Sequence, residues 1–125
     1  ICMPAKYVID LPAGADKAEA ACFGIPFLTA HRAVMFDGDV AGQTILVQGG
    51  AGAVGDHAVQ VAKANGARVI ATISSDEKAD FARQAGADEV VNYRSEDVAA
   101  RILEMTDGKG VDRIVELNLS ANAPG

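Results

Sequence analysis

Cysteine is scarce in this chain. Cys2 and Cys22 are the only two, and they stand far apart. They build no disulfide framework, and they point to a reducing compartment, the cytoplasm. They also fall short of the four close ligands of a structural zinc site. Histidine is equally sparse, and His31 and His57 are too isolated to be proposed as metal ligands, so no metal site is expected. Basic residues are in deficit, with 11 Lys and Arg against 17 Asp and Glu and a net charge of −6. That balance disfavours nucleic acid as the main partner, because such binding rests on a basic surface. An anionic cofactor stays open, since it needs only a local positive site. No apolar run approaches the about 20 residues of a membrane span, and no basic leader with a cleavage signature is visible. No membrane association is therefore expected. The chain starts at Ile1 and stops after Ala-Pro-Gly, and it is read as an excerpt of a longer protein.

What the chain does have is hydrophobic residues, 50% of its 125, enough for one packed domain. It also has glycine in a pattern. Gln43 to Gly55 reads QTILVQGGAGAVG. The apolar run Ile45, Leu46, Val47 leads into Gly50, Gly52 and Gly55, which fit G-x-G-x-x-G. Val54, Ala58, Val61 and Ala62 then recur at helical spacing. A lone glycine motif is weak, but strand, tight turn and helix together are the context that a dinucleotide-binding motif requires. In that reading Gly50 permits the sharp turn, Gly52 lets a pyrophosphate approach the backbone, and Gly55 lets the helix pack closely on the sheet. The start of the helix offers free N–H groups and a partial positive charge to the phosphates.

The rest of the chain is punctuated to match. Tyr7–Pro12 reads as a short strand stopped by proline. Asp16 is placed to cap a short helix through Ala21, with Glu19 at its third position. Gly24-Ile25-Pro26 is expected to break that helix, and Pro26 to start a second from Phe27 to Met35, ended by Asp37-Gly38-Asp39. Further strands are expected at Arg68–Ile73, Glu89–Asn92 and Val111–Leu117. Helices are expected at Asp76–Gln84, ending at Gly86, and at Val98–Met105. Gly66-Ala67 and Gly86-Ala87 each precede a strand, as helix-to-strand turns require. Alternating strands and helices imply parallel pairing. The fold class is therefore α/β, a Rossmann-type doubly wound parallel sheet. Four strands are counted against the usual six, so the half that faces the nicotinamide is only begun. Residues 1–38 are assigned to the tail of a catalytic domain with connecting helices, and 39–125 to the dinucleotide-binding domain.

The choice between cofactors turns on the end of the second strand. An NAD site usually carries an acidic residue there for the ribose 2′-hydroxyl. This chain has Ile73-Ser74-Ser75 and no carboxylate until Asp76. The absence admits a 2′-phosphate. Lys78, one turn into the following helix, is placed to reach it as a point charge, and Tyr93, after the neighbouring strand, to donate a hydrogen bond. Ser74 to Glu77 also fits a helix capping box. Asp76 weighs against NADP(H), and Arg94 is a rival cation. The preferred cofactor is NADP(H).

These segments together resemble the medium-chain dehydrogenase/reductase superfamily, in its zinc-independent quinone reductase branch, which includes zeta-crystallin. The resemblance rests on Gly24-Ile25-Pro26 with Leu28-Thr29-Ala30-His31, on Gly49 to Gly55, and on Ser74-Ser75-Asp76-Glu77-Lys78. It also rests on Gly86-Ala87-Asp88, Asn92-Tyr93-Arg94 and Gly110 to Glu116. It implies that Ala53 and Val54 contact the pyrophosphate and that Ser74, Lys78 and Tyr93 form the 2′-phosphate pocket. It also implies that Thr29 lies near the nicotinamide and that Leu117 and Asn118 meet the cofactor after the fourth strand. The last match is looser, because many relatives carry small residues and glycines where this chain has Leu117-Asn118-Leu119-Ser120. The implied architecture is a barrel-like catalytic domain followed by the Rossmann domain, usually in a homodimer. The implied activity is NADPH-dependent hydride transfer to a quinone or an activated enone. A zinc-dependent alcohol dehydrogenase relative, an enoyl-thioester reductase and a nucleotide-binding module without catalysis are the alternatives. No catalytic residue is expected within the chain, which alone is expected to bind the adenosine half and not to turn over.

Overall fold

In this computed structural model the described residues are 2–122. Four strands form one sheet: β1 (Thr44–Val47), β2 (Arg68–Ile73), β3 (Glu89–Asn92) and β4 (Arg113–Val115). All pairings are parallel, in the order β3-β2-β1-β4. Five helices accompany them: α1 (Lys17–Met35), α2 (Ala53–Ala64), α3 (Asp76–Ala85), α4 (Val98–Met105) and the short α5 (Leu119–Asn122).

The two central strands are apolar almost throughout because both faces of the sheet are covered. Side chains alternate across a strand, so Ile45, Val47, Val69, Ala71 and Ile73 pack into one core with α1, α2 and α3. Leu46, Ile70 and Val91 point the other way and pack with Ile102 of α4. Burial on both faces is what turns a parallel strand into a near-continuous hydrophobic run. Helices on both faces make the sheet doubly wound, as expected for the fold class.

β2, β3 and α4 have the predicted bounds, and α3 runs one residue further before Gly86, which takes φ of 111° at its C-terminus. Three expectations fail. Tyr7–Pro12 is no strand; Ala5–Tyr7 is a 3₁₀ turn, closed by Tyr7 N–H to Pro4 O at 3.0 Å and Val8 N–H to Ala5 O at 3.0 Å. Among the described residues no neighbouring strand supplies partners there. The two predicted helices are one, α1, with Pro26 inside it. Asp16 caps it as expected, accepting from Ala18 N–H and Glu19 N–H, both at 2.9 Å. Proline removes its own N–H donor and its ring crowds the carbonyl four residues back, and that residue, Cys22, lies in the exposed stretch of the helix. The helix is anchored further on, where Ala30 and Val34 are fully buried. An Arg113 guanidinium hydrogen bond to the Val34 carbonyl ties α1 to β4. Finally, β4 covers Arg113–Val115 rather than Val111–Leu117. Its partner β1 is only four residues long, and the pairing ends with Gln48 N–H on Val115 O at 3.0 Å.

Candidate dinucleotide site

The strand order reverses between β1 and β4, and ligands of open α/β sheets bind at such a switch point, outside the carboxyl ends of the strands. The glycine turn leaves β1 at this place. Its conformation differs from the expectation in detail. Gly49, not Gly50, takes the left-handed backbone, with φ of 68°. Gly50 is required for another reason: a β-carbon there would lie 2.6 Å from Ala71 Cβ on β2. Gly55 packs on the turn rather than on the sheet, and its β-carbon would lie 2.1 Å from the Gly49 carbonyl oxygen. Gly52 is the least constrained of the motif glycines, with 3.3 Å to that same oxygen.

This folding delivers an anion-binding geometry. Gly52 is the N-cap of α2 and contributes no side chain to it. Asp56 N–H is satisfied by Gly52 O at 2.8 Å, whereas the Ala53, Val54 and Gly55 amides have no acceptor among the described residues. Free donors at the positive end of a helix favour phosphate. A β-carbon-free approach at Gly52 keeps the backbone accessible. The chain thus fits the pyrophosphate of a dinucleotide.

Beside the turn opens a cleft of about 600 Å³, lined among others by Gln48, Thr72, Tyr93, Glu116, Leu117 and Asn118. Three of the expected site residues, Tyr93, Leu117 and Asn118, therefore meet in one place. The β3 end that carries Tyr93 is firmly held. Tyr93 N–H reaches Ile73 O at 3.2 Å, and Asn92 N–H reaches Glu96 Oε1 at 2.8 Å. The opposite wall is organised by Glu116, whose carboxylate accepts from Asn118 N–H and from Asn122 Nδ2.

Ser74 follows directly on β2, and the Ile73–Asn92 register sets it beside Tyr93. The predicted capping box is displaced by one residue. Ser75 is the N-cap of α3, accepting from Lys78 N–H at 3.4 Å. The Ser74 hydroxyl is thereby left out of the cap. Lys78 is exposed and its Nζ makes no ion pair among the described residues. Thr29 sits exposed on α1 and is not among the residues that line the cleft. Two polar residues of the cleft were not anticipated from the sequence, Gln48 and Thr72. Thr72 Oγ1 accepts from Gly49 N–H at 2.9 Å and donates to Gln48 Oε1 at 2.9 Å, while its carbonyl accepts from Gly50 N–H at 3.0 Å. A hydroxyl near the carboxyl end of a strand that is otherwise apolar after Arg68 was the available signal.

A parallel sheet in this order, with a glycine turn and an uncapped helix at its switch point, defines the nucleotide-binding half of a Rossmann fold. Comparison with known proteins places it further. The zinc-binding dehydrogenase family matches residues 53–122, and the chain belongs to that family, within the medium-chain dehydrogenase/reductase superfamily. It is 45% identical over 103 residues to a quinone oxidoreductase of Pseudomonas aeruginosa, covering 82% of the chain and 32% of that protein. The quinone oxidoreductase of Thermus thermophilus, solved also with NADPH, superposes with a TM-score of 0.84 at 37% identity, over 94% of the chain and 38% of its own. The CurK enoyl reductase superposes with a TM-score of 0.80 at 33% identity, over 90% of the chain and 34% of its own. The chain spans about a third of the length of these proteins. Among the described residues no group of His, Cys, Asp and Glu converges as a metal site, and no helix is long and apolar enough to cross a membrane.

Proposed function

We propose that this chain holds NADP(H) for hydride transfer to a quinone or an activated enone. The observation that carries the reading is the joint placement of three unpaired amides at Ala53–Gly55 with a serine, not a carboxylate, beyond the end of β2. In this reading the Ala53, Val54 and Gly55 amides hold the pyrophosphate, with Gly50 and Gly52 keeping the backbone close. Ser74 and Tyr93 donate hydrogen bonds to the 2′-phosphate, and Lys78 supplies the opposing charge. Leu117 and Asn118 close the cleft, and Thr29 approaches the nicotinamide from α1. The bound dinucleotide supplies the hydride. The chain's own contribution is to bind and orient, and no residue in it is assigned a proton transfer. On the same reading residues 1–38 belong to the end of a catalytic domain and 39–125 to the dinucleotide domain. The likeness to the quinone oxidoreductases supports the acceptor class.

Calorimetric titration with NADPH and then NADH tests the cofactor. We expect NADPH to bind at least tenfold tighter, a difference of about 1.4 kcal/mol, and Lys78→Ala to remove most of that preference. Equal affinities for the two nucleotides would sink the 2′-phosphate assignment. NADPH oxidation by the whole protein that carries this chain, with quinones and enones as acceptors, tests the reaction. The likeness to an enoyl reductase favours one second reading, in which the enone is a thioester. Turnover of an enoyl thioester in preference to quinones would select it.

A further inference from the structure

We propose that Thr72 is a positioning residue for the dinucleotide turn, with its hydroxyl oriented by Gln48 and acting through the Gly49 peptide. The inference rests on the dinucleotide reading of this site. Thr72 is 1% exposed and sits on β2, the strand next to the one that enters the turn. A hydroxyl carries one proton. Here that proton goes to Gln48 Oε1 at 2.9 Å, which leaves a lone pair aimed at Gly49 N–H, also at 2.9 Å. The Thr72 carbonyl takes the next amide, Gly50 N–H, at 3.0 Å. One residue thus holds two successive peptides of the turn.

The hold is passed forward by Gly49. Its left-handed φ of 68° directs its carbonyl toward the start of α2. That oxygen accepts from Gly52 N–H at 2.9 Å and is the atom against which Gly55 packs. The Thr72 hydroxyl fixes the Gln48–Gly49 peptide and the Thr72 carbonyl fixes the Gly49–Gly50 peptide that carries this oxygen, so releasing the first lets Gly49 reorient and displace both glycines that flank the unpaired Ala53 and Val54 amides. The Thr72 hydroxyl has its donor and acceptor needs met within the protein, so its effect on a nucleotide runs through the turn.

The test compares Thr72→Val, which keeps the shape and removes the hydroxyl, with Thr72→Ser, which restores it. Ile102→Ala, in the core on the same face of the sheet as Ile70 and Thr72, serves as a control for lost stability. Amide hydrogen exchange without nucleotide reads the turn, and NADPH titration reads the site. Thr72→Val is expected to speed exchange at Gly49 and Gly52 at least tenfold and to raise the NADPH Kd at least fivefold. Ile102→Ala should do neither at a comparable loss in Tm, and Thr72→Ser should return both readouts to within twofold of the parent chain. If Thr72→Val does not fold, Gln48→Met carries the test, with faster exchange at Gly49 expected. Unchanged exchange at Gly49 and Gly52 in a folded variant overturns the proposal, and so does faster exchange with an unchanged Kd. If the parent chain binds neither NADPH nor NADH, the functional reading fails instead, while the exchange data still decide whether Thr72 holds the turn.

Discussion

Glycine positions in this chain separate cleanly by what a β-carbon would meet. At Gly55 it would meet the Gly49 carbonyl oxygen at 2.1 Å, backbone that cannot step aside. Gly55→Ala is expected to cost roughly 1–3 kcal/mol, the usual range for overpacking, and to weaken NADPH binding as the turn shifts. Urea unfolding and titration check both. At Gly24, inside α1, nothing lies within 4 Å. Gly24→Ala is expected to stabilise by about 0.5–1 kcal/mol, since alanine loses less backbone freedom in a helix, with nucleotide affinity unchanged. The sequence pattern located the turn correctly. It misassigned the roles of Gly50 and Gly55, because a motif states where glycine stands and not whether backbone dihedral, a neighbouring strand or the turn itself demands it.

Between elements, Asp88 is the clearest fastening. One oxygen accepts from Lys63 Nζ on α2, and the other accepts from Val69 N–H on β2 at 2.8 Å. Burial pushes its carboxyl up, but the Lys63 and Val69 hydrogen bonds and the Lys63 and Arg68 charges outweigh that, so it titrates below its ordinary 3.8. A folded-state value below the unfolded one adds stability above the unfolded pKa, and that gain is lost as pH falls through the folded pKa. Asp88→Asn is therefore expected to lower the urea midpoint at pH 7. The gap to the parent chain should close below pH 3.8. A gap that stays constant with pH would contradict the assignment. Helix α1 carries the second prediction at this scale. Proline in a helix interior is about 3 kcal/mol less favourable than alanine. Pro26→Ala should raise the thermal midpoint and the helical circular dichroism. Both observations concern features that the sequence shows only in part. Asp88 stands next to a legible turn, Gly86-Ala87, yet its partner lies on another helix. Pro26 reads as a helix breaker until the distant burial of Ala30 and Val34 is known.

For the molecule as a whole, binding should appear as stability. A ligand that binds only the folded chain stabilises it by about 2.7 kcal/mol at a hundredfold excess over Kd. Saturating NADPH is expected to raise the Tm by more than NADH at equal concentration, and Lys78→Ala to bring the two shifts together. Differential scanning fluorimetry reads this directly. The same comparison separates a site set by the 2′-phosphate from one that recognises only the shared adenosine and pyrophosphate. Apolar exposure is concentrated in the N-terminal part, where Tyr7, Ile9, Leu11, Phe23, Ile25 and Leu28 face outward, in contrast to the closed core around β1 and β2.

Local chemistry in the sequence accounts for the element alternation, the bounds of β2, β3 and α4, the glycine turn and the missing carboxylate at Ser74. Each depends on residues within one turn or strand of each other: glycines that end helices, caps that begin them, and apolar runs that need two covered faces. Packing across the sheet accounts for the rest. It merged two predicted helices into α1, denied Tyr7–Pro12 a strand partner, and shortened β4 to the three residues that pair with β1. It also joined Thr72, Gln48 and Gly49 into one hydrogen-bonded unit. Those outcomes required partners distant in the chain, and no neighbouring residue encodes which partner a hydroxyl or a carbonyl will meet.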